Sequence, residues 1–232
     1  LKDGEKLTEY YPVFLKLKNK VCVVIGGGKV AERKILGLLA VGAKVKVISP
    51  DLTPKLKSLY EKGTFIWEER PYRRGDLTGA FLVIAATNDP SVQEEIFKEA
   101  EEKNIPCNVV DRPEYCTFIV PSIIKRGDLV IAISTSGASP ALARRLRETL
   151  EEIFGEEYTL YLNLMRKIRE KILKMDISPE EKEEKLQKIA ISALPIYLKY
   201  GDFDLVKSIL KKEGFSEIIP EILSADKVSK DI

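Results

Sequence analysis

The chain has 232 residues, 44% of them hydrophobic and 32% charged, and its 38 Lys and Arg nearly balance 36 Asp and Glu to a net charge of +2. Such a length suits one large domain or a domain with a smaller companion, and the balanced charge excludes the basic field of a nucleic-acid-binding protein. No apolar run approaches the ~18 residues of a membrane span, and the polar start LKDGEKLTEYYP lacks the apolar core of a signal peptide, so a cytoplasmic protein with no membrane partner is expected.

VCVVI, residues 21–25, reads as a buried strand that runs directly into the glycines of GGGKVA and then a helix over about 29–41. In this G-x-G-x-x-A turn, Gly26 permits the tight turn, Gly28 lets the backbone approach a pyrophosphate, and Ala31 permits close helix-to-strand packing. Helix N-terminal N–H groups, among them those of Lys29 and Val30, then favour the anionic bridge of a dinucleotide. Gly42 stops the helix and AKVKVIS supplies a second strand near 44–48, completing a βαβ unit. A further helix fits 51–62 up to Gly63, and TFIWEE forms a short third strand. AFLVIAAT, residues 80–87, is a continuous apolar run of parallel-sheet type; NDPSVQEEIFKEAEEKN follows as a helix and PCNVVD as the fifth strand. The expected fold class is therefore α/β, a Rossmann-like doubly wound parallel sheet.

Past Asp111 the rhythm changes. CTFIVPSII and DLVIAIST read as two strands joined through IKRG, an antiparallel pair, and SPALARRLRETLEEIF as a helix with Ser139 as N-cap and Pro140 at its first position. From about residue 152 onward the chain reads helical, with Leu160, Leu164, Ile168 and Ile172 spaced for packing, Pro195 and Gly201 as breaks, and DKVSKDI as a frayed tail. Three segments result: a dinucleotide-binding domain over 1–113, a small α+β module over 114–151 and a helical domain over 152–232.

In an open parallel sheet, ligands bind beyond the carboxyl ends of the strands, so the loops after each strand carry the candidate residues. After the second strand these are Ser49, Pro50 and Asp51, where Asp51 suits either an adenine ribose or the cap of the next helix. After the fourth they are Ala86 and Thr87, placed to border a nicotinamide ribose, with Asn88 or Asp89 capping the helix behind them. After the fifth they are Asn108, Asp111 and Arg112. The chain contains no histidine, so proton transfer falls to other groups. Asp111 at the cleft mouth is the best carboxylate for it, burial lifting its pKa, unless it merely forms a turn. Ser134, Thr135, Ser136 and Gly137 before a helix start, followed by Arg144, Arg145 and Arg147, read either as capping with a solvated basic face or as a receptor for carboxylates. Cys22, Cys107 and Cys116 lack metal-ligand spacing, so buried reduced thiols and no metal site are expected.

The segments YYPVFLKLKNKVCVVIGGGKVAERK, AFLVIAATND and CNVVDRPEYCTFIVPSIIKRGDLVIAISTSGASPALAR, in this order and spacing, resemble the precorrin-2 dehydrogenases, which form the amino-terminal part of siroheme synthases or stand alone. The resemblance implies a CH–CH oxidoreductase that converts precorrin-2 to sirohydrochlorin with NAD as hydride acceptor, acting as a homodimer whose middle module dimerises. Some members also insert ferrous iron into the product. Lys29, Val30, Pro50 and Asp51 fall at family NAD contacts, Asp111 at the family's acidic residue, and Thr135 where some members carry serine. The carboxylates of the macrocycle would meet Arg112, Lys125, Arg126, Arg144 and Arg145. The C-terminal residues match weakly, and no methyltransferase pattern is present, so methylation of uroporphyrinogen is not expected. A non-catalytic dinucleotide sensor is the alternative of another class.

Overall fold

The computed structural model describes residues 10–220; the expected frayed tail DKVSKDI and most of the polar start lie outside them. The chain divides into two compact units, Leu1–Val120 and Pro121–Ile232. In the first, β1 (Val21–Ile25), β2 (Lys44–Ile48), β3 (Ile66–Glu68), β4 (Leu82–Ala85) and β5 (Cys107–Val109) form one parallel sheet in the order β3-β2-β1-β4-β5. Its helices are α1 (Lys29–Ala40), α2 (Pro54–Glu61) and α3 (Pro90–Glu102). Because side chains alternate along a strand, Cys22 and Val24 of β1 face one side of the sheet and Val23 and Ile25 the other. On the first side they meet Ala31 and Ile35 of α1 and Leu56 of α2; on the second, Ile96 and Ala100 of α3. Both layers are buried, and each such aliphatic side chain contributes about 1.5–3 kcal/mol on burial.

One element of the first unit departs from the sequence expectation. Helix α2 starts at Pro54, not at residue 51, because Thr53 takes the cap: its Oγ1 accepts the Leu56 N–H at 3.3 Å and Pro54 occupies the first turn. The connection from β3 to β4 has no helix. Tyr72 and Leu77 cover that part of the sheet instead, held by Glu99 of α3, whose carboxylate is 1% exposed and accepts the Tyr72 hydroxyl and the N–H groups of Gly75 and Leu77. A carboxylate so enclosed is tolerated only when its lone pairs are matched in this way.

In the second unit β6 (Ser122–Arg126) and β7 (Leu129–Ile133) form the expected antiparallel pair. The strand begins only at Ser122, since residues 116–118 are hydrogen-bonded to β5, Thr117 N–H donating to the Cys107 carbonyl at 2.8 Å. Helix α4 (Pro140–Ile153) follows with Ser139 Oγ capping Leu142 N–H, then α5 (Glu157–Lys174), α6 (Pro179–Ala190), α7 (Leu194–Tyr200) and α8 (Phe203–Lys212). Leu164, Ile168 and Ile172 face the helical core as their spacing predicts, but Tyr161, not Leu160, fills the first position, its hydroxyl donating to the Ala190 carbonyl. Gly201 ends α7 in the left-handed region at φ 70°.

Burial pushes the Cys22 thiol up to about 11 and the Cys107 thiol up to about 12, against an ordinary value of 9.0. The unfolded chain sheds these protons first, so the folded state binds more protons and loses stability as pH rises above about 9. The unfolding free energy from urea titration should fall between pH 9 and 11, by on the order of 1 kcal/mol per pH unit for each thiol, and the fall should be shallower in Cys107→Val. Parallel slopes for the two proteins would refute the assignment.

Candidate functional site

The chain crosses from one half of the sheet to the other between β1 and β4, and their carboxyl ends form the topological switch point where this architecture binds ligands. The turn after β1 is built from tertiary constraints on two glycines. Gly26 has φ +112°, and a Cβ there would lie 2.3 Å from the Ala86 carbonyl oxygen. At Gly27 a Cβ would lie 2.0 Å from the Asp51 carbonyl oxygen. Gly28 differs: nothing lies within 4 Å of the Cβ position, so its face of the turn is open. Gly28 is also the N-cap of α1 and offers no side-chain cap, whereas α2 and α3 are capped by Thr53 and Asp89. The first N–H groups of α1, including those of exposed Lys29 and half-buried Val30, are therefore left for an anion, and this cradle fits the pyrophosphate of a dinucleotide.

Ser49 is not free to bind ribose. It is buried, its hydroxyl donates to the Asp51 carbonyl at 2.7 Å, and its own carbonyl accepts the Trp67 indole N–H at 2.9 Å. These bonds fold the loop after β2 over Gly27, whose carbonyl accepts the Thr53 N–H at 3.0 Å. Pro50 and Asp51 are exposed on the outside of that loop. The Asp51 carboxylate accepts the Leu52 N–H and pairs with Lys57 at 2.7 Å, and the Lys57 ammonium, with the Leu52 N–H, holds its pKa below the usual carboxylate range. It does not cap α2, so the capping alternative falls to Thr53.

Beside the glycine turn lies a cleft of about 280 Å³, lined by Val30 of α1, Ala86, Thr87 and Asn88 after β4, Gln93 of α3, and Val110, Asp111 and Arg112 after β5. Asp89 caps α3, its carboxylate accepting the N–H groups of Ser91 and Val92, which leaves Ala86 and Thr87 at the cleft wall. Asp111 stands at φ 61°, a left-handed conformation uncommon outside glycine and enriched at functional sites. It is exposed, so the partly dry surrounding expected for it is not supplied by this chain's own packing. Arg112 pairs with Glu114 at 2.5 Å and lies over the Tyr115 ring, 4.7 Å from its centroid.

Asn108 does not line the cleft. It is buried in β5 and its amide donates to the Phe118 carbonyl at 3.0 Å and toward the Cys116 sulfur at 3.5 Å. The Cys116 thiol lies within donating reach of the carbonyls of Val109 and Arg112, at 3.2 and 3.3 Å, its one proton serving either. Asn108 and Cys116 thus shape the turn that presents Asp111, and neither lines the cleft. Gln93, Gly27 and Cys116 are the site-forming residues that sequence reasoning missed.

The remaining candidates belong to the second unit. Ser134 Oγ accepts the Ser136 N–H, and Thr135 Oγ1 accepts the Ser139 N–H, both at 3.0 Å, around a turn in which Ser136 and Gly137 take φ 50° and 84°. The hydroxyls thereby support the turn ahead of α4. Arg144 spends its guanidinium on Glu148 one turn along at 2.9 Å, Arg126 lies 3.2 Å from Glu156, and Lys125 and Arg145 are exposed. Among the described residues no group of three His, Cys, Asp or Glu side chains is placed to hold a metal ion, and no helix is long and apolar enough to cross a membrane.

Comparison with known proteins agrees with this geometry. Residues 13–122 match the family described as "Putative NAD(P)-binding", and residues 126–153 the family described as "Sirohaem biosynthesis protein central". A siroheme synthase from Methylobacillus flagellatus is 45% identical over 150 residues, which cover 65% of this chain and 32% of that protein. One from Photorhabdus laumondii is 39% identical over 164 residues, 71% of this chain and 35% of that one. The chain thus spans about a third of the length of these curated relatives. A solved structure titled "SirC, precorrin-2 dehydrogenase" superposes with a TM-score of 0.75 at 28% identity, covering 91% of this chain and 100% of that one. The chain is thus similar in sequence to siroheme synthases along both matched regions, and similar in fold along nearly all its length to a precorrin-2 dehydrogenase.

Proposed function

We propose that this chain oxidises precorrin-2 to sirohydrochlorin, with NAD as the acceptor, in siroheme biosynthesis. The observation that carries the reading is the convergence, at one switch-point cleft, of an uncapped helix start beside an open Gly28 with a carboxylate held in the left-handed region at Asp111. NAD, when bound, supplies the hydride acceptor. The chain's own groups do the rest. The N–H groups of Lys29 and Val30 receive the pyrophosphate, Pro50 and Asp51 border the adenine ribose, and Ala86 and Thr87 border the other ribose. Loss of a hydride from a saturated carbon of the macrocycle must be accompanied by loss of a proton from its neighbour, and Asp111 accepts or relays that proton. Arg112 at the cleft supplies a guanidinium donor for the substrate's carboxylates.

The same proposal includes a homodimer formed through residues 114–151, with 152–232 as a helical domain. Its support is that Ile123 and Val130, on one face of the β6–β7 pair, and Leu142 and Leu146, on one face of α4, are exposed. Two strands alone are marginal, and an apolar face of this kind gains by being covered. A cytoplasmic setting suits three free cysteines.

The test is anaerobic addition of precorrin-2 to the chain with NAD while NADH absorbance is followed. One NADH per macrocycle is expected, and binding of NAD with no reduction would favour the sensor reading. Ferrous iron becomes a second substrate under the bifunctional alternative, in which Asp111 helps to deprotonate the macrocycle nitrogens. Insertion of Fe(II) into sirohydrochlorin no faster than in buffer would remove that alternative.

A further inference from the structure

The parallel ladder between β4 and β5 ends at the Val110 N–H, which donates to the Ala85 carbonyl at 2.9 Å. Beyond it the two chains diverge to form opposite walls of the cleft, and among the described residues no backbone hydrogen bond joins 86–89 to 111–112. One side chain takes over where the ladder stops. Gln93, in the first turn of α3 and 7% exposed, donates its amide to the Thr87 carbonyl at 2.7 Å and reaches the Val110 carbonyl at 3.5 Å. Thr87 belongs to the wall assigned to the cofactor, and Val110 immediately precedes Asp111.

We infer that Gln93 is a positioning residue for the dehydrogenation: its amide cross-links the two loops and so sets the gap between the cofactor wall and the Asp111 carboxylate. Among uncharged side chains only an amide serves both carbonyls. Two carbonyl oxygens approached by a single NH₂ need two donors from one atom, which a glutamate, a methionine or a hydroxyl cannot supply. The energy involved is that of one short and one long hydrogen bond, small beside the stability of the unit, but the geometric consequence is large. A misplacement of about 1 Å between reacting groups can cost on the order of 100-fold in rate. Gln93 touches neither the proton nor the hydride; it acts through Thr87 and Asp111. This role rests on the dehydrogenase reading, but the cross-link does not.

The experiment therefore has two readouts. In Gln93→Met and Gln93→Glu, amide hydrogen exchange of the chain without cofactor should accelerate at residues 86–89 and 110–112, with the rest of the sheet unchanged. In the same variants kcat for precorrin-2 oxidation should fall by about 10- to 100-fold, while the Kd for NAD stays within about threefold. A merely structural residue would lower Tm and weaken NAD in step with kcat, and that pattern overturns the assignment. So does unchanged exchange in both loops, or kcat within about threefold of the parent. In the unsubstituted chain the Gln93 side-chain amide protons should exchange slowly; fast exchange there refutes the cross-link even if neither variant folds. Failure of the unsubstituted chain to oxidise precorrin-2 refutes the dehydrogenase reading and with it the positioning of catalysis, whereas the exchange data judge the cross-link alone.

Discussion

Replacing Asp111 by Asn, Gly or Ala should lower the turnover of precorrin-2 by about 10²- to 10⁴-fold, the usual worth of a positioned proton acceptor, and leave the Kd for NAD within about threefold. The three substitutions are chosen for the backbone. Asp111 sits at φ 61°, where glycine is unstrained and asparagine is tolerated because its short side chain bonds locally, while alanine costs about 1–2 kcal/mol. If Asp111 served only to form the turn, Asn and Gly would keep near-parental activity and Ala alone would suffer. If the carboxylate carries the proton, all three lose turnover alike, and Asn, which preserves shape and hydrogen-bonding reach, is no better than Gly. The carboxylate is exposed in the chain by itself, so its catalytic value comes from where the left-handed turn points it and not from a desolvated surrounding. An Asn variant with unchanged kcat would exclude Asp111 from the reaction.

Elements fixed by local pattern were legible in the sequence. The continuous apolar strands β1 and β4, the helix stop at Gly42 and the N-cap at Ser139 lie where periodicity and capping chemistry put them. Thr53-Pro54 carries the same cap-then-proline signal as Ser139-Pro140, and it sets the start of α2 at Pro54 although Asp51, three residues earlier, is also of a capping type. The proline, which fits the first helical turn, settles that competition. What the sequence hides is commitment of a polar group to a distant partner. Ser49 and Asn108 look like ligand donors when read in their loops, but Ser49 braces the Asp51 carbonyl and Asn108 braces Phe118. Gln93 reads as one polar residue on an amphipathic helix, and its importance appears only when two loops converge on it. No local rule assigns such partners, since they depend on which strands become neighbours.

Gly27 and Gly28, adjacent in one motif and alike on paper, should respond in opposite ways to alanine. A Cβ at Gly27 would sit 2.0 Å from the Asp51 carbonyl oxygen, 2.8 Å from Leu52 Cδ2 and 3.0 Å from Ser49 Oγ. Backbone and buried side chains cannot both retreat from it, because the Ser49–Asp51 and Thr53–Gly27 hydrogen bonds pin the loop in place. Gly27→Ala should therefore destabilise the first unit by about 1–3 kcal/mol, the range for overpacking, and lower its Tm with or without ligand. At Gly28 a Cβ meets open space and the backbone is extended at φ −79°, so Gly28→Ala should leave Tm unchanged. That methyl projects from the N-cap of α1, where the pyrophosphate must approach the N–H groups, and NAD affinity should fall by at least about tenfold, with the loss of one or two close phosphate contacts. Isothermal titration with NAD alongside thermal unfolding separates the two effects. Unimpaired NAD binding by Gly28→Ala would mean that the open face of the turn is not the cradle, and the cofactor assignment would lose its structural footing. Retained stability in Gly27→Ala would show that the loop after β2 can move off the turn, which the Ser49 and Thr53 hydrogen bonds oppose.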